Sequence, residues 1–309
     1  MNDALFSALS VLVIICFAYF FKRIKLLSSD IARPLASIVM YLTLPCAIFI
    51  SANGIAFEVS LLSVLFISAL ANFILLTVAF FSSHDPKQRV FNMVNTSCFN
   101  IGNFIIPFMQ SSIGPKAFLA LCMFDVVNAL FCFGGAYSVA LYFNKKHFPA
   151  QNINLKKIFI EMSKSLPFYV YVLVITLSAC HITIPEHFLT PIKTIAGANT
   201  LLCFMIIGIS LNFNITKEQL KCIGHAWIIR YLTCSALAAI VWLYVPLESE
   251  IRIIIMIILM APMSSIAPIM TMKALPSHTE ESADLNTVAI LSSLCFVTLM
   301  SSLGSYLNS

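Results

Sequence analysis

Apolar runs of about 17 to 25 residues, each the length an α-helix needs to cross roughly 30 Å of hydrocarbon, follow one another along almost the whole chain. A bilayer admits only backbone that satisfies its own hydrogen bonds, so runs of this kind point to a polytopic all-α membrane protein. Charge is correspondingly scarce. Of the 309 residues 10% are charged and 60% hydrophobic, against about 25% charged in soluble domains. The first run, ALFSALSVLVIICFAYFF, has no basic flank ahead of it and no small-residue cleavage site after it. It reads as a retained first helix rather than a signal peptide. The ten cysteines form no C-x-x-C pair and read as small apolar fillers.

Ten helices are expected, near residues 4–21, 31–51, 58–81, 90–110, 116–143, 162–181, 190–211, 222–245, 250–273 and 284–307. The polar stretch NKKHFPAQNINLKK is the longest connection. It sets the expected organisation as a first five-helix unit (1–143), a linker (144–161) and a second five-helix unit (162–309). With the N-terminus outside, the inner loops collect Lys22, Arg23, Lys25, Arg33, Lys87, Arg89, Lys145, Lys146, Lys156, Lys157, Lys164, Lys217, Lys221 and Lys273. The outer side holds Lys116, Lys193 and Arg252. Basic residues gather on the cytoplasmic side of membrane proteins, so both termini are expected on the outer face of an inner (plasma) membrane. The net charge of +5 then belongs to loops beside anionic lipid, and no nucleic-acid partner is implied.

Five helices, a cytoplasmic linker and five more helices give halves of opposite polarity, the layout of an inverted repeat. The irregular features fall at corresponding places. NTSCFNIGNFIIPFMQ (95–110) interrupts the fourth span and APMSSIAP (261–268) the ninth. Proline removes a donor and glycine loosens the backbone, so helix continuity is expected to fail near Asn100 to Asn103 and near Pro262 to Ser265. The freed N–H and C=O groups must face protein or a watery cavity, since each would cost several kcal/mol in lipid. Kinked helices with locally satisfied asparagines are the alternative for either span alone. Matching interruptions in two inverted halves favour a transporter's binding site.

Four stretches resemble the auxin efflux carrier family: YLTLPCAIF (41–49), FNIGNFIIP (99–107), ANTLLCFMIIGISL (198–211) and MAPMSSIAP (260–268). Asn100, Gly102 or Asn103, Pro107 and Pro262 fall on its crossover motifs, and Gly208 to Leu211 on its seventh-helix Gly-x-x-Leu. Tyr41, Phe99 and Ile105 depart from its usual residues. The resemblance implies ten helices in two inverted repeats with helices four and nine broken and crossing, a fold shared with bile-acid symporters and sodium–proton antiporters. It implies an elevator-type secondary carrier of a small organic anion, malonate-like or an auxin-like acid. The anion is expected between the breaks, held by Asn100, Gly102, Asn103, Ser264 and Ser265. Pro107, Pro262 and Pro268 would keep the breaks open, and Thr43, Pro45 and Asn199 would line the approach. Expected partners are that anion, membrane lipid and a second copy in a homodimer.

Asp125 is the clearest charge deep in a span, where insertion costs at least about 2.5 to 3.5 kcal/mol. Asn128 shares its helix face. Either Asp125 binds a coupling ion, H⁺ or Na⁺, or it caps freed N–H groups of the broken fourth span. Arg230 lies about 12 Å from the inner end of its helix and is expected to snorkel to the cytoplasmic interface. Trp227 and Trp242 suit interfacial belts. No zinc motif, nucleophile elbow, glycine-rich phosphate loop or aspartate pair suggests an enzyme, a metal or a cofactor. A sodium-coupled carrier of the bile-acid type and a non-transporting sensor on the same fold remain as other readings.

Overall fold

The computed structural model describes residues 2–55, 57–110, 112–148, 160, 165–211 and 215–307. Those residues form helices and connecting turns, with no strand among them. In chain order the α-helices are α1 (Asn2–Arg23), α2 (Ala32–Ile38), α3 (Leu44–Ala52), α4 (Leu62–Phe81), α5 (Pro86–Thr96), α6 (Ile106–Met109), α7 (Pro115–Leu130) and α8 (Ala136–Phe143). They continue as α9 (Leu166–Ala179), α10 (Glu186–Gly197), α11 (Asn199–Ser210), α12 (Lys217–Tyr244), α13 (Ser249–Leu259), α14 (Ala267–Ala274) and α15 (Thr279–Leu307). Six stretches among the described residues are long and apolar enough to cross a bilayer: Ser29–Ala52, Val59–Phe81, Pro115–Phe143, Glu186–Ser210, Gln219–Tyr244 and Pro276–Met300. Leu166–Ala179 is a shorter apolar helix. Some ends lie several residues from the expected ones, as where α12 begins at Lys217 and α15 at Thr279. Most of the linker 144–161, with Lys156, Lys157 and Lys164, lies outside the described residues.

The distribution of polarity is that of a protein solvated by lipid. Phe66, Phe73, Leu232 and Leu243 are exposed, while Asn72, Asn92, Asn95, Asn128, Arg230 and Asp284 are buried. Polar groups therefore find partners inside the bundle, where a hydrogen bond left unmade is costly. On one rim, Lys116 pairs with Glu58 at 2.7 Å and Glu248 at 2.6 Å, joining the starts of three helical stretches. The hydrogen bond from Lys116 holds the Glu58 carboxyl below its ordinary range.

Three turns widen to the π form, Val39–Thr43, Ile101–Ile105 and Phe131–Gly135. The first two directly precede Pro45 and Pro107, each in the first turn of the following α-helix. A proline ring clashes with the carbonyl one turn back and offers it no N–H, and a wide turn relieves both faults. In the third, Gly134 has φ 132°, a conformation that side chains with a Cβ rarely adopt. That kink separates α7 from α8.

Helices α1 and α11 pack closely at Gly208, where an added Cβ would lie 2.5 Å from the Ile15 carbonyl oxygen and 2.7 Å from the Ala18 Cβ. Backbone cannot give way as a side chain can. Gly208→Ala is expected to cost about 1–3 kcal/mol by overpacking, read as a lower thermal midpoint in detergent. An unchanged midpoint would show that the two helices can separate freely.

Candidate functional site

The two irregular stretches meet. Helix α5 ends at Thr96 and its chain runs non-helical through Ser97 to Asn100, with Cys98 at φ 72°, before the π turn at Ile101; α13 ends at Leu259 and α14 begins at Ala267. The Asn100 N–H donates to the Pro262 carbonyl at 2.9 Å, tying one break to the other. Asn95 Nδ2 donates to Thr271 Oγ1 at 2.9 Å on one side of that tie, and Asn103 Nδ2 to Ser265 Oγ at 3.1 Å on the other. The three links join residues 95, 100 and 103 to residues 271, 262 and 265, so the two interrupted stretches meet at their non-helical segments. The interruption in the fourth span lies at Ser97 to Asn100, slightly ahead of the expected place, because Pro107 widens a turn without ending the helix.

Several of the loosened backbone groups have side-chain partners. The Asn128 amide spans Phe99, accepting from its N–H at 2.9 Å and donating to its carbonyl at 2.8 Å. Asn72 Oδ1 accepts from the Cys98 N–H at 3.1 Å, and Asn72 is itself held by the Ser68 carbonyl at 2.9 Å. Capping by Asp125 is thus replaced by capping through its neighbour. Asp125 accepts from Asn128 Nδ2 at 2.8 Å and from the Tyr171 hydroxyl at 2.6 Å, fixing the amide that holds Phe99.

Arg230 does not snorkel; its side chain is wholly buried at the crossing. Nη1 donates to the carbonyls of Thr96 and Cys98, the latter at 2.9 Å, and Nη2 to those of Ala261 at 2.9 Å and Pro262 at 3.2 Å. The guanidinium also lies 4.7 Å from the centre of the Phe99 ring. Carbonyl ends of helices carry partial negative charge, and two such ends converge here on one cation. Trp227 likewise faces protein, with its Nε1 donating to Ser292 Oγ at 2.9 Å.

Between the breaks lies a cavity of about 80 Å³. A single water needs about 10–15 Å³ on that measure, so there is room for several waters or a small molecule. Of the expected residues, Asn100, Gly102, Asn103, Ser264, Ser265, Asp125 and Asn128 line it, joined by Phe99, Cys132, Ser165 and Tyr171 among others. Pro107, Pro262, Pro268, Thr43, Pro45 and Asn199 are not in its lining. Thr43 Oγ1 instead donates to Asn199 Oδ1 at 3.0 Å, a buried link between the second and seventh spans. Pro107 offers its carbonyl to Thr200 Oγ1 at 3.2 Å. Among the described residues the lining contains one carboxylate, Asp125, and no lysine, arginine or histidine.

A family profile described as membrane transport protein matches residues 4–301. The chain belongs to this family, the auxin efflux carriers. No curated protein matches it. In this auxin efflux carrier family member, a multi-pass membrane transport protein, sequence reasoning missed Asn72 and Tyr171. Asn72 carried a usable signal, since LANFILL places one amide in the middle of an apolar run, as at Asp125. Tyr171 carried none, because tyrosine is ordinary near a span's end. Of the three family departures, Phe99 lines the cavity and stacks under Arg230, Ile105 is fully buried outside it, and Tyr41 is exposed.

Proposed function

We propose that the protein is a secondary carrier of a small organic anion, bound between the two crossing breaks and moved by elevator-type alternating access. The observation that supports this most is the Asn100 to Pro262 hydrogen bond, which brings two broken helices to the wall of one small cavity with both polar and apolar lining. Ile101, Gly102 and Asn103 open a helical segment in the cavity wall, and the positive dipole end there favours an anion, whereas the first N–H groups of α14 are already taken by the Ser264 and Ile266 carbonyls. Asn100, Asn103, Ser264 and Ser265 add neutral donors. On the reading of ten spans in two inverted halves with both termini outside, the cavity-lining residues Ser165, Pro167 and Phe168 belong to the cytoplasmic end of their span.

Asp125 supplies the coupling. An anion entering beside an ionised carboxylate is repelled, so a cation, H⁺ or Na⁺, must enter with it. Helix α7, which carries Asp125 and Asn128, ends at the Gly134 kink, and the kink gives the cavity wall a place to bend.

The test is flux. Purified protein in liposomes is expected to move a labelled small dicarboxylate, and Asn100→Leu or Ser264→Leu to reduce that flux at least tenfold while each variant keeps its thermal midpoint. Full flux in both variants would exclude the cavity as the site. Binding with no movement in the native protein would make it a sensor instead.

A further inference from the structure

The geometry points to Arg230 as a resident cation: it fills, from within the chain, the carbonyl cage at the helix crossing where a carrier of this architecture would coordinate a coupling metal ion, and it leaves the crossing independent of sodium. Half-helix carboxyl ends and unwound carbonyls are the groups that hold Na⁺ in broken-helix transporters. Here four such oxygens, those of Thr96 and Cys98 from one break and of Ala261 and Pro262 from the other, each receive one Nη–H of a single guanidinium. The division is symmetric, with Nη1 serving the first break and Nη2 the second. Phe99 covers one face of the ion, and Arg230 is 0% exposed. A planar fork satisfies four carbonyls in fixed directions, which a lysine ammonium with three donors cannot do.

The consequence for coupling rests on the carrier reading above. With the carbonyl cage occupied by a cation that never leaves, the ion exchanged during transport falls to the cavity carboxylate of Asp125, and that ion is a proton. Arg230 is then a positioning residue: it holds both breaks against each other and touches no substrate.

The experiment measures the thermal midpoint of the purified full chain in sodium, potassium and choline chloride at equal ionic strength, and repeats it for Arg230→Ala and Arg230→Lys with added methylguanidinium or methylammonium. The native protein is expected to show the same midpoint in all three salts and no response to methylguanidinium. Arg230→Ala is expected to drop, and to rise again, saturably, with methylguanidinium but not with methylammonium; Arg230→Lys is expected to fall between. A saturable rise of the native midpoint in sodium would overturn the inference, and this arm decides even if Arg230→Ala does not fold. A folded Arg230→Ala that keeps the native midpoint, or a lowered one with no methylguanidinium response, would also overturn it. Liposome flux run alongside separates the two readings: no carboxylate movement sinks the carrier proposal while the midpoints still judge Arg230, and flux that requires sodium sinks the resident cation alone.

Discussion

Asn128→Ala is expected to destabilise the protein by about 2–6 kcal/mol and to abolish transport. The amide makes three buried bonds, two to the Phe99 backbone and one to Asp125. Its loss leaves the Phe99 N–H and carbonyl without partners in the middle of the bundle, and a buried group so orphaned costs about 1–3 kcal/mol. A water in the new space could recover part of this, which sets the lower bound. Asn128→Asp separates the terms, because a carboxylate accepts from the Phe99 N–H but cannot donate to its carbonyl, and it adds a second charge beside Asp125. It is expected to be at least as damaging as alanine. Chemical unfolding in detergent measures both. A loss below about 1 kcal/mol for either variant would mean that the non-helical segment Ser97 to Asn100 is held by other contacts.

Much of this was legible in the sequence, and the limits have a physical cause. NTSCFNIGNFIIPFMQ and APMSSIAP announced themselves as breaks because proline, glycine and short polar side chains are costly in a lipid-facing helix, and a pattern within one span suffices to see that. What the sequence could not supply was which distant side chain satisfies which loosened group. Asn72 reaches Cys98 across 26 residues, Tyr171 reaches Asp125 across 46, and Arg230 reaches Thr96 across 134. The expectation that Arg230 snorkels weighed only the distance to the end of its own helix. It omitted two other helix ends whose carbonyls meet the side chain first. Four hydrogen bonds to a charged group, at about 1.5–3 kcal/mol each, exceed the roughly 2.5–3.5 kcal/mol cost of placing the charge at mid-span. For Thr43 and Asn199 the reasoning erred the other way: polar residues near prolines looked like lining, yet they bond each other away from the cavity.

The second large effect is expected at Asp125. As the one carboxylate among the described lining residues, with no basic side chain among them, it opposes any anion that enters while it is ionised. At about 5 Å and an effective dielectric constant of about 20, two unit negative charges repel by about 3 kcal/mol, or roughly 100-fold in affinity. Anion binding to the native protein should therefore weaken as pH rises through the titration of Asp125, and carboxylate flux should follow an imposed proton gradient. Asp125→Asn removes the charge and preserves the shape. Its oxygen can still accept from Asn128 Nδ2, and the Tyr171 hydroxyl can turn to accept from the new amide, so the Phe99 clamp survives. The variant is expected to fold normally, to bind the anion with an affinity flat in pH and near the native low-pH value, and to lose its response to the gradient. Isothermal titration across pH and flux in pH-jumped vesicles read these outcomes. A variant with unchanged gradient dependence would take the coupling role away from Asp125, leaving it only the positioning of Asn128.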